Sequence, residues 1–453
     1  MTTAHPPVRI VVLNYNGAGR IERCLERLLA TRYPDLRVTV VDNASSDGSA
    51  ASVEQAYPDV ELIENGANLG FSRGNNRALR AATEPFVGLL NPDTEVEPDW
   101  LRPLVARLME DSLAGGVGAK LLHQYDRLPL RLKVPTFSPP APDTRQLGVR
   151  FYGAKSRAGA ADVTGGAHGV ELNEHGHPFR WTEADLELAV PVCDGAATFA
   201  VDLAAGDGRA PVAISVHAGD QPLVQAQVPA KRTTLRVDVS AETVKRLAQP
   251  AIECAGIMPL PDGSMRDRGT HLLAGVPWSA WDGSSYSEPR EVFAVKGAAV
   301  LYRRSMLEGL GYLDDGIFMY YEDADLAWRA RRRGWRFWYE PESVVRHEHA
   351  ALSREWSPGF VRNVEFGKLR MLGKNAPRSW VAQHASAALK FASSDFRHAM
   401  TLRDVEAARR VAARLRALGD AVLAGPQTWR LRDVEARLAP LDGRELRPFY
   451  ESS

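Results

Sequence analysis

Residues 8–49 read VRIVVLNYNGAGRIERCLERLLATRYPDLRVTVVDNASSDGS. A β-branched run, a Gly-containing turn, a segment with apolar residues at helical spacing and a second β-branched run make a strand–helix–strand unit. The alternation continues through GSAASVEQAY, VELIE, FSRGNNRALRAA and PFVGLLN to about residue 122, which predicts a parallel sheet with helices on both faces. Ligands of such sheets bind beyond the carboxyl ends of the strands. At those ends the chain places Asn14-Tyr15-Asn16, Asp42-Asn43, the stretch from Asn68 to Asn76, and Asn91-Pro92-Asp93. One cleft would collect all four.

Beyond this region the texture changes. RLPLRLKVPTFSPPAPD carries prolines at 129, 135, 139, 140 and 142, which argue against helix and central strand, so residues 126–148 read as a Pro-rich linker. Short alternating runs such as LELAVPV, ATFAVDLA and PVAISVHAG then predict an inserted antiparallel β-sandwich over 149–245. Mixed α/β texture resumes over 246–375, so that 1–125 and 246–375 form the two halves of one interrupted domain. Residues 376–453 are helical and basic. They suit a membrane surface bearing a lipid-linked acceptor, packing on the first domain, or a homodimer contact, and the sequence leaves these open.

The chain has 453 residues, too many for one ordinary core. Lys plus Arg and Asp plus Glu are both 56, and this neutrality argues for no nucleic-acid partner. Cys24, Cys193 and Cys254 are odd in number and widely spaced, which fits a reducing cytosol better than disulfides or a zinc cluster. The N-terminus lacks a basic, apolar leader and no run of about eighteen apolar residues occurs. The expected location is therefore cytoplasmic, with the inner face of the membrane as an alternative.

The early turn invites a dinucleotide reading, but Gly17-x-Gly19 is followed by Glu22 where the third glycine belongs. Asp42, at the tip of the second predicted strand, can accept hydrogen bonds from a ribose or a base N–H. The alternative is a turn capping the helix at Ser49, which Asp47-Gly48 would serve as well. A buried run, Phe86 to Leu90, ends in Asn91-Pro92-Asp93-Thr94, where a carboxylate on a rigid tip could hold a divalent cation against a diphosphate. In MYYEDADLAWRARRRGW, residues 319–335, acids lead and arginines trail, as the helix macrodipole favours, and Gly334 suits the position past the end.

Taken together, VVLNYNG (11–17), VVDNASSDGS (40–49), NLGFSRGNNRAL (68–79), LLNPDT (89–94), AGIMPLPDGSMRDRG (255–269), VKGAAVLYRRSML (295–307), FMYYEDADLAWRARRRGW (318–335) and VVRHEH (344–349) resemble the family 2 glycosyltransferases, especially the rhamnosyltransferase-like bacterial branch. The resemblance implies a GT-A fold and inverting transfer of a sugar, rhamnose or a related deoxyhexose, from a dTDP- or UDP-linked donor. The acceptor would be a hydroxyl of a glycan or lipid-linked glycan in surface polysaccharide synthesis. It implies that Asp42 contacts the base, with Asn14 and Tyr15 lining the same pocket and Asn68, Arg73 and Asn75 closing it. Asp93 falls at the metal-binding aspartate, with Asn91 replacing the first acid of the family's Asp-x-Asp pattern, and His347 falls where related enzymes supply a histidine. The metal would be Mn²⁺ or Mg²⁺.

The same resemblance makes Asp323 the catalytic base and Glu322 its alternate, which could instead orient the acceptor or cap the helix. An acceptor hydroxyl is a weak nucleophile, so a carboxylate in reach of its proton is what the reaction needs. Asp325 and Arg329, one turn apart, read as a structural pair. A second reading, a glycan-binding or scaffold protein with a degenerate transferase domain, is opposed by the joint presence of Asp42, Asp93 and Asp323. In the predicted sandwich, Phe179 and Trp181 are either stacking faces for a glycan or core residues.

Overall fold

The computed structural model describes all residues except 1–4, 174, 207–208, 349–355, 403 and 450–453. The chain divides into two compact units, one of residues 1–122, 254–268 and 284–453, the other of 123–253 and 269–283.

In the first unit the predicted alternation forms β1 (Val8–Asn14), α1 (Arg20–Leu29), β2 (Leu36–Asp42), α2 (Ser49–Ala56), β3 (Glu61–Glu64), α3 (Gly70–Ala81) and β4 (Phe86–Leu90). β5 (Thr94–Val96), α4 (Leu101–Glu110) and β6 (Ala114–His123) follow. After the second unit's main segment come β7 (Arg290–Val292), β8 (Ala299–Arg303), α5 (Arg304–Leu310), α6 (Glu322–Arg331) and β9 (Arg336–His347). The sheet order is β7-β9-β6-β8-β4-β1-β2-β3, with β5 paired to β9. β1 runs parallel to both β2 and β4, and β2 parallel to β3, whereas β8 is antiparallel to β4. β4 is buried at all five positions, as expected for a strand covered on both faces. α1 buries Ile21, Cys24, Leu25 and Leu28, the spacing of a helix with one apolar stripe.

Because β1 and β2 run in register, Asn14 and Asp42 lie side by side at their carboxyl ends. Asn91-Pro92-Asp93 follows β4, and His347 closes β9 opposite Thr94 of β5. These tips share one edge of the sheet. The VVRHEH stretch runs past His347 to His349, which lies outside the described residues.

The C-terminal helices α7 (Pro358–Asn375), α8 (Arg378–Leu402), α9 (Val405–Leu423) and α10 (Gly425–Ala436) pack on one another. They are also tied to α6. Arg333 of the segment after α6 holds Glu435 through two bonds of 3.1 Å, and Arg332, nearly fully buried, reaches Glu445 at 2.7 Å. Of the three placements left open above, packing on the first unit is observed. Arg332 and Arg333, which trail the acids of α6 as the macrodipole favours, thus also pair with carboxylates near the C-terminus. Among the described residues no helix is long and apolar enough to cross a membrane.

The second unit is antiparallel, as predicted, but nine of its strands are joined by hydrogen bonds into a single sheet, with Thr270–Leu273 and Val276–Ser279 as a separate hairpin. Every long strand contributes to one apolar core that includes Leu130, Phe151, Leu188, Phe199, Val216 and Val237. The sheet is therefore rolled over its own inner face. The Pro-rich linker reading of 126–148 needs correction, because Arg127–Lys133 is a strand of this sheet, paired along its length with Pro178–Pro191. Pro129 is tolerated because it falls between the Arg127–Gln249 bridge and the start of pairing with Val212–Ala218 at Arg131. There the strand has a partner on one side alone, so a missing N–H costs no ladder bond. Phe179 and Trp181 are buried with Leu147 in a small cluster apart from that core and meet edge to face with centroids 5.7 Å apart.

Candidate active site

A cleft of about 460 Å³ lies in the first unit beyond the carboxyl ends of β1, β2 and β4. Of the residues expected at a site, Tyr15, Asn68, Asn91, Asp93, Glu322, Asp323 and His347 line it. Motifs more than 300 residues apart in sequence therefore meet in one cavity.

Asn14 and Asp42 lie beneath the lining, both buried. Asn14 Nδ2 donates to Asp42 Oδ1 at 2.9 Å and to Ser49 Oγ at 2.8 Å, and Ser45 N donates to Asp42 Oδ2 at 2.9 Å. Asp42 thus braces the loop after β2. Asp47, just ahead of the Gly48 N-cap, accepts from Ser49 N at 3.1 Å and from Ala18 N at 2.8 Å. Both aspartates serve the turn, and it is Asn43, Leu13 and Tyr15 that reach the cavity from these strands.

The Gly-containing turn is also built for internal contacts. A Cβ at Gly17 would come 2.4 Å from Asn14 Oδ1, and Glu22, in place of a third glycine, accepts the Gly19 N–H at 2.7 Å. Neither Arg73 nor Asn75 lines the cavity. Arg73 is on the exposed face of α3, and Asn75 is buried with its amide on the Phe71 carbonyl at 3.0 Å. The α3 residue with a long-range role is Asn76, which holds the loop before α6 through Leu313 O at 2.8 Å and Asp315 Oδ1 at 2.6 Å.

On one wall Asp93 Oδ1 is 3.3 Å from His347 Nε2, both side chains being more than nine-tenths buried. Asn91 Nδ2 is 3.5 Å from the same ring nitrogen. Asp93 Oδ1 is buried and accepts no hydrogen bond, an arrangement that is costly unless a cation completes it. Rigid elements fix the pair: Glu348 N donates to Asp93 O at 2.9 Å, and Arg20 binds Glu348 through two bonds of 3.0 Å. No group of three His, Cys, Asp or Glu side chains is gathered as a metal set among the described residues. Asp93, His347 and the neutral Asn91 nevertheless fit a divalent cation whose remaining positions are filled by water or phosphate oxygens.

The facing wall carries Glu322 and Asp323 at the first turn of α6. The chain enters this turn through Tyr320 and Tyr321, with φ of 72° and 70°. Bulky residues in the left-handed region cost ~1–3 kcal/mol each and mark functional segments. Gly367 of α7 accommodates the bend, since a Cβ there would meet Tyr320 O at 2.3 Å. Burial in the poorly solvated cleft pushes Asp323 above the usual carboxylate range. The N–H groups of Ala324 (2.7 Å) and Gly297 and the Lys296 charge oppose this, and Asp267 adds to it. Burial, then the Asp323 charge, pushes Glu322 higher still. Glu322 Oε2 is buried without a hydrogen bond. Carboxylates whose environments drive them apart in this way are typical of acid–base pairs.

Asp325, one position on, is fully buried and bonded to Arg329 Nε at 2.9 Å and Asn375 Nδ2 at 2.9 Å, the structural pairing its spacing suggested. Cleft residues that the sequence reading did not single out are Asp267, Lys296, Met319 and Phe360, whereas Asn43 is one of the strand-end polar groups expected there. Asp267 and Lys296 fall inside the two motif stretches 255–269 and 295–307.

Residues 9–161 match the family model described as "Glycosyl transferase family 2". An N-acetylglucosaminyl-diphospho-decaprenol L-rhamnosyltransferase of Mycobacterium tuberculosis (strain ATCC 25618 / H37Rv) is 33% identical over 121 residues, 24% of this chain and 39% of that protein. The succinoglycan biosynthesis protein ExoO of Rhizobium meliloti (strain 1021) is 38% identical over 104 residues, 22% of this chain and 30% of its own length. The chain thus spans well under half of these relatives. A mannosyltransferase from Pyrobaculum calidifontis, solved with GDP-Man and Mn²⁺, covers 94% of this chain and 88% of its own at 15% identity, with a TM-score of 0.40, too low to assign a fold. What the comparisons establish is that residues 9–161, with β1 to β6 and the Asp93 tip, carry the sequence pattern of glycosyl transferase family 2.

Proposed function

We propose that the chain is a metal-dependent, inverting glycosyltransferase with a GT-A fold. It moves rhamnose or a related deoxyhexose from a dTDP- or UDP-linked donor to a hydroxyl of a glycan or lipid-linked glycan in bacterial surface polysaccharide synthesis. The observation that carries this reading is the meeting, in one cleft, of an orphaned Asp93 oxygen beside His347 with a raised carboxylate pair at the start of α6. The family match over 9–161 and the rhamnosyltransferase among the relatives support the activity and the sugar.

In this reading the nucleotide lies over Tyr15, Asn43 and Asn68, on a floor braced by Asp42. Asp93 and His347, with Asn91 beside them, would hold a divalent cation, which when bound neutralises the charge of the departing diphosphate. Asp323 accepts the acceptor hydroxyl's proton as that oxygen attacks the anomeric carbon on the face opposite the leaving group. Glu322 keeps its proton behind Asp323 and leaves a single negative charge at the reacting oxygen.

A panel of nucleotide sugars scored by thermal denaturation tests the donor. A dTDP- or UDP-sugar is expected to raise Tm in the presence of Mn²⁺, by a linkage of RT ln(1 + [L]/Kd), and Asp93→Asn is expected to abolish the Mn²⁺-dependent part. An equal rise without metal, or no rise with any donor, would count against the reading.

A further inference from the structure

The part of the cleft next to the carboxylate pair is apolar. Met319 and Tyr320 come from the turn that leads into α6, and Phe360 and Val364 from the start of α7. All four line the cavity that Glu322 and Asp323 also line. Phe360, Val364 and Gly367, at helical spacing, share one face of α7. That face lies against the turn: a Cβ at Gly367 would meet Tyr320 O at 2.3 Å, and the rings of Tyr320 and Phe360 meet edge to face with centroids 5.1 Å apart. Trp356, one helical turn earlier, packs on Phe360 at 6.3 Å. Two other rings therefore fix the position of the Phe360 ring.

These side chains do not belong to the core. Met319, Tyr320, Phe360 and Val364 are each partly exposed, whereas rings such as Phe293 and Phe337 are almost wholly covered. A large apolar side chain left open to a cavity gains stability only when something covers it, and its place beside Asp323 indicates what does. The acceptor must bring a hydroxyl to Asp323 and an apolar surface to Phe360. A prenyl or acyl chain supplies the second and not the first. A pyranose supplies both, with hydroxyls around its rim and C–H bonds on its face. Arg266, Asp267 and Lys296 line the same cavity, and polar groups of this kind orient a ligand's hydroxyls.

We propose that Phe360 is a specificity-determining residue for the acceptor. Its ring is the platform on which the acceptor's terminal pyranose lies, with Tyr320 and Val364 beside it and the attacking hydroxyl turned to Asp323. This deepens the proposed function and rests on the assignment of Asp323 as the base.

The test is saturation-transfer NMR on the full chain with Mn²⁺ and UDP or dTDP. Methyl glycosides of D-glucopyranose, D-galactopyranose and L-rhamnopyranose serve as ring probes, and 1-octanol as the chain probe. At least one pyranoside is expected to show ring-proton saturation with the wild type. Phe360→Ala is expected to weaken that probe's binding by about threefold to tenfold, the range for the loss of one aromatic contact. Phe360→Trp keeps a flat face and is expected to retain binding. Phe360→Leu keeps an apolar side chain without a ring and is expected to lose as much as the alanine variant, which also covers the case in which the alanine disturbs folding. This pattern, with nucleotide binding unchanged in all three variants, supports the proposal. It is overturned if a chain that binds nucleotide saturates no pyranoside, if Phe360→Ala binds the ring probe as the wild type does, or if octanol alone is bound and Phe360→Leu keeps it. A chain that binds neither nucleotide fails the function assignment instead, and the proposal with it.

Discussion

Asp323→Asn is expected to lower kcat by ~10²- to 10⁴-fold, the usual worth of general-base assistance, with folding and nucleotide-sugar binding preserved. The amide oxygen can still accept the Ala324 N–H that the carboxylate accepts at 2.7 Å, so the first turn of α6 keeps its geometry. What is lost is the capacity to take a proton. The wild-type dependence on pH has a defined sign. Asp323 works deprotonated, and burial lifts it above the ordinary carboxylate range, so activity falls on acidification at a pH higher than the ~4 of a free aspartate. Steady-state rates from pH 5 to 8, with circular dichroism as the folding control, measure both. A variant within threefold of wild type, on the order of 0.6 kcal/mol in barrier, would remove Asp323 as the base.

Lys374→Met is expected to destabilise the first unit by ~3–5 kcal/mol. Lys374 is almost fully buried in α7, with its ammonium 2.7 Å from Asp325 Oδ1 and paired also with Asp314. Arg370 completes Asp314 with bonds of 2.8 and 2.9 Å, and Arg329 completes Asp325. This cluster joins α6, which carries the carboxylate pair, to α7 and to the loop at Asp314. Removing one cation strands charge where water does not reach, against a total stability of only ~5–15 kcal/mol. Burial pushes Asp314 up, but Lys374 and Arg370 outweigh it and hold the acid well below the usual range. A depressed carboxylate stabilises the fold above its unfolded value of ~4 and loses that contribution as pH falls. Urea unfolding at pH 7 and pH 4 reads both effects: a large loss in the variant at pH 7, and a smaller gap at pH 4. A loss under 1 kcal/mol at pH 7 would show that the cluster does not mount α6.

The strand–helix alternation was legible because both faces of the parallel strands are covered, which leaves continuous apolar runs between polar tips. Those tips announced Tyr15, Asn68, Asn91 and Asp93, and the structure brings all four to one cleft. Arg73 and Asn75 were less legible, since a helix presents alternate faces and the sequence does not say which one meets the cavity. Asp42, at the tip of β2, is buried beneath the lining of the cleft, where Asn14 and Ser45 bond its two oxygens. The pairing of Arg332 and Arg333 was not legible because their partners, Glu445 and Glu435, lie about a hundred residues further on. Pro129 hid a strand, because its tolerance depends on which side of the strand is unpaired. Lys296 and Asp267 carry no local pattern at all: their pairing is a 2.9 Å contact between two distant segments.

Calorimetric titration of dTDP and UDP into the wild-type chain, Asp93→Asn and Asp323→Asn, each with and without Mn²⁺, tests the central claim most directly. The account predicts Mn²⁺-dependent nucleotide binding to the wild type and to Asp323→Asn, and its loss in Asp93→Asn. Binding that ignores both the metal and Asp93, or no binding of either nucleotide to a folded chain, would contradict it.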